Sequence, residues 1–295
     1  MIGIDWGSSG FRAYLFDDDG DILEIRQAPR GITTLRPDDY AAVLQQEIGA
    51  WLDQGNETIL LSGMVGSRQG WREAGYVDCP ARLEDIPAKL LPVEISAGRN
   101  ALIVPGLACR TADGLPDVMR GEEIQIFGVI EAAETGMHCL PGTHSKHVTV
   151  EEGSIRSFTT AMTGEVFALM RREGLLAAML PSRPVAFDAE AFRAGVGRSG
   201  QAGGLLHHLF GIRTRRLFDE LAPDAAPDYF SGIVIGHELR GTKWTGSVFI
   251  VGAPDLAERY RIAFDCLGIT AKIAPEHAAA RGLHRLGRLL AGGRP

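Results

Sequence analysis

The fold of this chain is decided by its segment MIGIDWGSSGFRAYLFDDDGDILEI, residues 1–25. Three runs rich in β-branched and aromatic residues favour strands, and they lie at 2–4, 11–16 and 22–25. A Gly/Ser turn at 7–10 and an acidic turn at 17–20 separate these runs, as is typical of hairpins. The segment therefore predicts a three-stranded β-meander.

The first of these turns has the composition of an anion site. Glycines allow positive φ angles and keep side chains out of a ligand's path. Successive backbone N–H groups then form a concave anion site, to which the Ser8 and Ser9 hydroxyls add donors. Asp5 precedes the turn and can hold Mg²⁺ through a water molecule. An ordinary hairpin is the alternative explanation when this motif is taken alone.

Composition limits the class of protein. The 295 residues are 45% hydrophobic and 23% charged, which predicts a soluble globular protein with enough core for two domains. A net charge of −7 without a basic run argues against nucleic acid as a partner. We also expect no membrane span and no signal peptide, hence a cytoplasmic location. Four scattered cysteines predict reduced thiols, with neither zinc nor a disulfide framework: Cys79, Cys109, Cys139 and Cys266.

The middle of the chain offers a second candidate ligand loop. The segment SGMVGSRQGWREAGY, residues 62–76, is glycine-rich and follows a short buried strand, where α/β proteins often bind ligands. Arg68 and Arg72 could bind an anion, and Trp71 could stack on a sugar ring. A solvated surface loop is the equally weighted alternative.

Two adjacent carboxylates open the next predicted helix. Glu122 and Glu123 follow Gly121, and apolar residues then recur at helical spacing as far as residue 136. A carboxylate in a first helical turn complements the helix dipole, and it could also serve as a catalytic base. Adjacent helical residues point about 100° apart, so only one of the two can face a site fully. Asp117 is the alternative base, since it precedes the helix on a loop, GLPD at 114–117, that we expect to be flexible.

The second half repeats the design of the first. Residues 139–160 predict a strand, a Gly-hydroxyl turn, a strand, an acidic turn and a strand, and Gly142 lies 135 residues after Gly7. Leu140 stands where the first copy has Asp5, so the copies are not equivalent. Residues 163–175 then predict a helix with Leu175 facing the core. A third glycine turn, at 252–253, joins a buried strand to a helix.

Three segments in this order resemble the phosphate-1, phosphate-2 and adenosine motifs of actin-like sugar kinases. They are DWGSSGFRAYLFDDDG (5–20), LPGTHSKHVTVEEG (140–153) and IVGAPDLAERYRIAFDCLG (250–268). Together with SGMVGSRQGW, VMRGEE, TAMTGE and SGIVIG, they resemble the 2-dehydro-3-deoxygalactonokinase family over essentially the whole chain.

The resemblance implies an α/β fold of two ribonuclease-H-like (actin-like ATPase) domains with an interdomain cleft, divided as 1–120 and 121–295. It implies phosphorylation of the 6-hydroxyl of 2-dehydro-3-deoxy-D-galactonate by ATP with Mg²⁺ in galactonate catabolism. The expected partner is thus a small sugar acid, and a homodimer is one expected oligomeric state. Many actin-like kinases use an Asp as base, whereas this chain offers Glu122.

Roles for particular residues follow from the resemblance and the motifs. The residues expected to bind ATP are Gly7, Ser8, Ser9, Gly142, Thr143 and His144 at the phosphates, and Gly252 and Ala253 at the adenosine. Those expected to bind the substrate carboxylate are Arg12, Arg68 and Arg120. Those expected to act in catalysis are Asp5, which would hold Mg²⁺, and Glu122 as base, with Asp117 as its alternative.

Two other functions fit the same motifs. An actin-like ATPase used as a chaperone or filament module needs ATP and Mg²⁺ but no sugar pocket. A kinase of a different sugar or sugar acid would share the fold, because specificity depends on a few pocket groups.

Overall fold

A computed structural model describes residues 1–55, 58–96 and 98–292. Contacts divide the chain into a first unit, Met1–Thr135 with Val148–Thr159 and Pro275–Pro295, and a second unit, Gly136–His147 with Thr160–Ala274. These bounds differ from the predicted division after residue 120, because the C-terminal helix packs with the N-terminal strands. Within the described ranges, no helix is both long enough and apolar enough to span a membrane.

The strands are β1 (Ile2–Trp6), β2 (Phe11–Phe16), β3 (Ile22–Ala28), β4 (Ile59–Ser62), β5 (Tyr76–Asp78), β6 (Leu91–Ser96), β7 (Arg99–Ile103), β8 (Gly106–Arg110), β9 (Pro116–Met119), β10 (Gly136–Leu140), β11 (Ser145–Glu151), β12 (Ser154–Ala161), β13 (Val248–Ile250) and β14 (Ala271–Ile273). The helices are α1 (Tyr40–Leu52), α2 (Glu122–Phe127), α3 (Thr163–Arg172), α4 (Gly174–Ala177), α5 (Ala189–Ser199), α6 (Gly204–Leu217), α7 (Ala226–Arg240), α8 (Pro254–Cys266) and α9 (Ala278–Leu290).

The two large sheets are built alike. The first has the strand order β3-β2-β1-β4-β7-β6 and the second β12-β11-β10-β13-β14. The predicted meander is confirmed, with β1 antiparallel to β2 and β2 antiparallel to β3. Beyond it, β1 runs parallel to β4, as β10 runs parallel to β13. The predicted duplication is therefore present, since in both sheets a meander is extended by parallel strands. A small third sheet has the order β5-β8-β9.

Aromatic packing fills the core of the first unit. Trp6 lies fully buried against Tyr40 of α1, with ring centroids 5.2 Å apart, and its Nε1 donates to the Arg30 carbonyl at 2.6 Å. Trp71, which we considered as a sugar-stacking residue, instead stacks on Tyr40 with nearly parallel rings 5.6 Å apart. The segment 62–76 is thereby anchored to the core.

Helix α2 is shorter than its sequence pattern predicts, because α9 packs directly against it. A Cβ atom on Gly128 would lie 2.0 Å from the Ala278 carbonyl oxygen, and one on Gly282 would lie 1.9 Å from that of Ile124. The chain leaves the helix at Gly128, and the predicted extension to residue 136 is wrong. Apolar spacing alone does not reveal where a second helix crosses.

Helices α5 and α7 form the centre of the second unit. They cross through Gly195 and Gly232, where an added Cβ would lie 2.1 Å from the backbone oxygens of Tyr229 and Phe192 respectively. By contrast, α3 contains no buried residue. Leu175, which follows it, is exposed, so the prediction that it faces the core is wrong.

Candidate active site

Asp5 lies at the end of β1, beside two other strands of the first unit. It pairs with Arg12 of β2 and with Ser62 of β4. Burial raises the pKa of the Asp5 carboxyl to about 6, the Arg12 guanidinium opposes this shift, and the nearby Glu122 charge adds to it. An acid at a strand end with a raised pKa has the character of a functional group.

Hydrogen bonds within the turn and from residues 32–33 hold the first Gly/Ser turn in place. The Gly7 N–H donates to the Gly10 carbonyl at 2.9 Å, and Ile32 N–H donates to the Gly7 carbonyl at 3.1 Å. Thr33 donates its N–H and its hydroxyl to the Ser8 carbonyl, at 3.2 and 2.9 Å. These bonds leave the two serine side chains of the turn exposed.

The glycines of this turn leave space for a ligand, and they do not adopt a positive φ. Neither Gly7 nor Gly10 has a positive φ, so that part of the prediction is wrong. A Cβ on Gly7 would meet only the Gly10 oxygen, at 3.8 Å, so the protein leaves room on this side of the turn. A cavity of about 490 Å³ in the first unit is lined there by Asp5, Gly7 and the exposed Arg12.

Two glycines absent from the predicted site join Asp5 to the start of α2. Gly63 has a φ of 95°, and its Cβ would lie 2.8 Å from the Trp6 oxygen and 3.3 Å from Asp5 Oδ1. Gly121 has a φ of 105°, and its Cβ would lie 3.1 Å from the Cα of Gly63. Both positions exclude a side chain by conformation and by space. The Asp5 carboxylate and the N-terminus of α2 therefore lie close together.

The structure distinguishes the two adjacent glutamates. Glu123 is fully buried and accepts the Gly121 N–H with both oxygens, at 2.9 and 2.7 Å. Burial, reinforced by the Glu122 charge, raises the Glu123 pKa to about 8. Glu122 is partly exposed and accepts the Arg120 N–H at 3.0 Å. Glu123 thus holds the helix start, and Glu122 is the more exposed of the two carboxylates.

Asp117 lies in an ordered strand rather than in the flexible loop that the sequence suggested. It belongs to β9, where it pairs with Cys109 of β8, and its Oδ1 accepts the Val118 N–H at 2.8 Å. The four residues between Asp117 and Glu122 complete this strand and lead to the start of α2. The ordered strand, rather than loop mobility, fixes the position of Asp117.

The three predicted carboxylate-binding arginines differ in their surroundings. Arg68 is an exposed side chain paired with Glu73 at 2.8 Å. Arg120 is buried, and its Nη2 donates to the Ala74 carbonyl at 2.6 Å while its guanidinium lies over the Tyr76 ring. Its contacts hold the end of the 62–76 segment. Arg12 is the one of the three that is exposed beside Asp5.

In the second unit, the second Gly-hydroxyl turn packs against the start of α3. The Glu165 N–H donates to the Thr143 carbonyl at 3.0 Å, and the Glu165 carboxylate bonds to His144 Nε2. A Cβ on Gly164 would lie 2.3 Å from the Gly142 oxygen. This turn therefore lies at a helix N-terminus, an arrangement that favours anions.

A cavity of about 500 Å³ lies beside this turn. Its lining is mainly apolar with a few polar groups, and it includes Gly142, Gly164, Phe167, Asp228, Ser231, Val234, Ile235, Leu256, Arg259 and Tyr260. This combination of an apolar wall and few polar groups is typical of small-molecule sites. Gly252 and Ala253, the predicted adenosine residues, lie where α8 begins, whereas the helix lines the cavity further along the chain. The helix residues that line the cavity were not among the sequence candidates.

A buried polar network supports one wall of this cavity. Tyr260 donates to Glu238 Oε2 at 2.6 Å and bonds to Ser145 at 2.9 Å, and His147 bonds to Glu238 Oε1 at 2.8 Å. Cys139 completes a Cys/His/Glu cluster whose ligand atoms lie within 4.8 Å of one another. Burial raises the pKa of the Cys139 thiol well above its usual value, so the cluster has the character of a hydrogen-bonded network. The sequence spacing of these three residues carries no metal-site signal.

Both large sheets consist of a meander extended by parallel strands, and in each a Gly-hydroxyl turn follows the first strand. This architecture defines the class of actin-like ATPases and sugar kinases. Comparison with known families is more specific, because the 2-keto-3-deoxy-galactonokinase profile matches residues 5–286. The chain belongs to the 2-keto-3-deoxy-galactonokinase family. The family resemblance, the fold class and the kinase class inferred from the sequence are thereby confirmed.

Individual relatives agree with this family. The chain is 34% identical over 296 residues to the 2-dehydro-3-deoxygalactonokinase of Escherichia coli K12, with 98% of each chain covered. A crystal structure from Sinorhizobium meliloti, provisionally described as a 2-dehydro-3-deoxygalactonokinase, is 32% identical with a TM-score of 0.89 and 98% coverage of each chain. The activator of a Clostridium difficile 2-hydroxyisocaproyl-CoA dehydratase with bound ADPNP, at 12% identity, a TM-score of 0.53 and coverage of 99% and 96%, shares the fold.

Proposed function

We propose that this chain transfers the γ-phosphoryl group of ATP to the 6-hydroxyl of 2-dehydro-3-deoxy-D-galactonate. The observation that carries the proposal is the convergence of Asp5 with Gly63, Gly121 and Glu122 in a chain of this kinase family. Phosphoryl transfer is catalysed mainly by positioning and by electrostatics, which such a group of residues can provide.

Asp5 and the first turn are proposed to hold the phosphates and Mg²⁺. The donor set fits a hard cation, because it combines a carboxylate with the exposed Ser8 and Ser9 hydroxyls. Mg²⁺ held there would neutralise charge on the phosphoryl oxygens. Asp5, whose pKa is raised by burial, would be kept in its ionised form beside such a cation. The backbone N–H groups of Ser8 and Ser9 and the Arg12 guanidinium would add donors for anions.

Glu122 is proposed as the general base. Its carboxylate is partly exposed at a helix start near Asp5, and it would accept the proton of the substrate hydroxyl as that oxygen attacks. Glu123 is engaged with the Gly121 N–H and serves as a positioning residue for this helix start. Asp117 is kept as the alternative base.

Arg12 is the preferred partner for the substrate carboxylate. Its side chain is exposed beside Asp5 in the first unit, and a guanidinium matches a carboxylate with two parallel hydrogen bonds. Arg68 is engaged by Glu73 and Arg120 by backbone carbonyls, which makes both weaker candidates.

In the second unit, we propose that the cavity of about 500 Å³ takes the adenosine. Apolar side chains there suit a purine face, and the Ser231 hydroxyl offers a polar atom for selectivity, whereas the Asp228 carboxylate is engaged by Arg259 and by the Asp188 N–H. Residues 142–144, which pack against the start of α3, would then bind phosphate oxygens. Gly252 and Ala253 are still proposed to contact the adenosine.

Family membership favours a sugar-acid kinase over an ATPase module without a sugar substrate. A cytoplasmic location, a homodimer and the absence of nucleic-acid partners belong to the same proposal.

The test is a steady-state assay of ADP release with a panel of 2-keto-3-deoxy sugar acids and neutral sugars. We expect 2-dehydro-3-deoxy-D-galactonate to give the highest kcat/KM, and ATP hydrolysis without a sugar acid to be slow beside it. Rapid hydrolysis independent of sugar would favour the ATPase module. The Arg12→Ala variant should raise the KM for the sugar acid more than that for ATP, whereas Arg68→Ala should change neither. An unchanged sugar-acid KM in Arg12→Ala would exclude Arg12 as the carboxylate partner.

A further inference from the structure

Helix α6 has one buried face and, separately, an exposed apolar stripe. Leu206, Phe210 and Leu217 are 83%, 57% and 58% exposed, and Arg213 completes the stripe between the last two. Successive members of this set are four, three and four positions apart in the sequence. This is the spacing of a coiled-coil seam, and it places them in one line along the helix. Other residues of α6 provide the buried face, so packing within the second unit does not account for the stripe.

The surroundings of the stripe are apolar too. Leu206 and Phe210 line a surface groove of about 510 Å³ together with Leu169 and Leu175, which are also exposed. Single exposed apolar residues are ordinary, but a contiguous apolar surface of this kind marks an interaction site. Four residues in line along α6 span about 17 Å, which is enough for helix-to-helix packing.

We propose that this surface binds a second copy of the same chain, with the two α6 helices antiparallel across a two-fold axis. Positions 206 and 217 lie at equal distances from the midpoint of the stripe, and so do positions 210 and 213. An antiparallel pair therefore brings Leu206 against Leu217 of the second copy and Phe210 against Arg213 of the second copy, each contact occurring twice. Such self-complementarity is what a two-fold interface requires.

The arginine in the stripe is the reason to choose a second copy as the occupant. An unrelated apolar partner would remove water from the Arg213 guanidinium without supplying a partner for it. In the symmetric pair, each guanidinium lies over a Phe210 ring, a contact that is favourable when desolvated. Stable interfaces bury about 800 Å² on each partner, more than one helix pair supplies. Leu169 and Leu175 extend the apolar surface around the stripe.

The experiment measures the mass of the full chain in solution by light scattering at micromolar concentration. We expect about twice the chain mass of 31.8 kDa for the wild type. Phe210→Arg should give the monomer mass, because it places a second guanidinium against Arg213 of the other copy at both symmetric contacts. Leu115→Glu, which changes a comparably exposed leucine of the first unit, should remain a dimer.

Cross-linking tests the antiparallel register in a Cys266→Ser background, which removes an exposed thiol. A short bis-maleimide should join chains that carry both Leu206→Cys and Leu217→Cys, and chains with Leu206→Cys alone should stay unlinked. A monomeric wild type, or a Phe210→Arg variant that remains dimeric, would overturn the proposal. If Phe210→Arg fails to fold by circular dichroism, the question is decided by the cross-linking pair and by Arg213→Glu, which puts a carboxylate against the Phe210 ring and should give the monomer mass. The measurement needs no substrate and is independent of the proposed kinase activity.

Discussion

Replacing Glu122 by Gln removes the proposed proton acceptor and leaves the shape of the side chain unchanged. The Gln carbonyl can still accept the Arg120 N–H, a bond of 3.0 Å in the wild type, so the stability loss should stay below about 1 kcal/mol. General-base catalysis contributes about 10²–10⁴-fold to rate. We therefore expect kcat to fall by that factor, which corresponds to roughly 3–5 kcal/mol of activation free energy, with the KM for ATP nearly unchanged.

Glu123→Gln is the matched control, because it makes the same chemical change one residue away. The Glu123 pKa is raised from 4.5 to about 8, chiefly by burial, so the folded protein binds a proton that the unfolded chain releases between these values. The wild type therefore loses stability as pH rises from about 4.5 through 8. A neutral Gln removes this dependence. Between pH 5 and 9 the free energy of unfolding of Glu123→Gln should therefore rise above that of the wild type, by up to a few kcal/mol. Its kcat should change far less than that of Glu122→Gln.

Both variants would be assayed for ADP release at saturating ATP and sugar acid, and their unfolding in urea would be followed at pH 5 and pH 9. The reasoning fails if Glu122→Gln retains most of its kcat. If Glu123→Gln instead loses kcat, the buried glutamate is the base. If neither variant loses activity, Asp117→Asn becomes the next variant to measure.

Two further predictions concern the two turns. Asp5→Asn should stabilise the protein at pH 8 by about 1–3 kcal/mol, because burial raises the Asp5 pKa from 3.8 to about 6 and ionisation therefore costs folding energy above that pH. The same variant should lose kcat, and wild-type kcat/KM should rise with pH through about 6; a fully active or less stable Asp5→Asn contradicts the assignment. Gly164→Ala would place a Cβ 2.3 Å from the Gly142 oxygen, so we expect about 1–3 kcal/mol of destabilisation and an ATP KM raised about tenfold. Gly197→Ala in α5, where no atom lies within 4 Å of the added Cβ, is its control, and equal ATP KM values for these two variants would refute the role of the second turn.

The sequence alone determined the local structure around both turns. Alternating apolar runs and Gly/Ser or acidic turns act between neighbouring residues, so they predicted both meanders and the positions of Asp5, Gly7 and Gly142. The order of the motifs was sufficient to indicate the family. The same local rules failed for α2, whose apolar spacing continues past the point where the helix ends.

The tertiary structure decided which residues meet. Sequence spacing could not choose between Glu122 and Glu123, because the choice depends on which carboxylate is buried against the Gly121 N–H. It also gave no reason to single out Gly63, whose role depends on the approach of Gly121, distant in the chain.

The cavity of the second unit is the clearest case of this limit. Its walls come from α3, from α7 as far as Ile235, from the first half of α8 and from residues 184–185, and the sequence of each helix by itself has the pattern of an ordinary amphipathic helix. Likewise Tyr260, Glu238 and His147 form one network although they lie far apart in the sequence. Periodicity and turn residues report on interactions between near neighbours in the chain. A binding cavity is created where distant segments pack together, and that packing is fixed only by the folded structure.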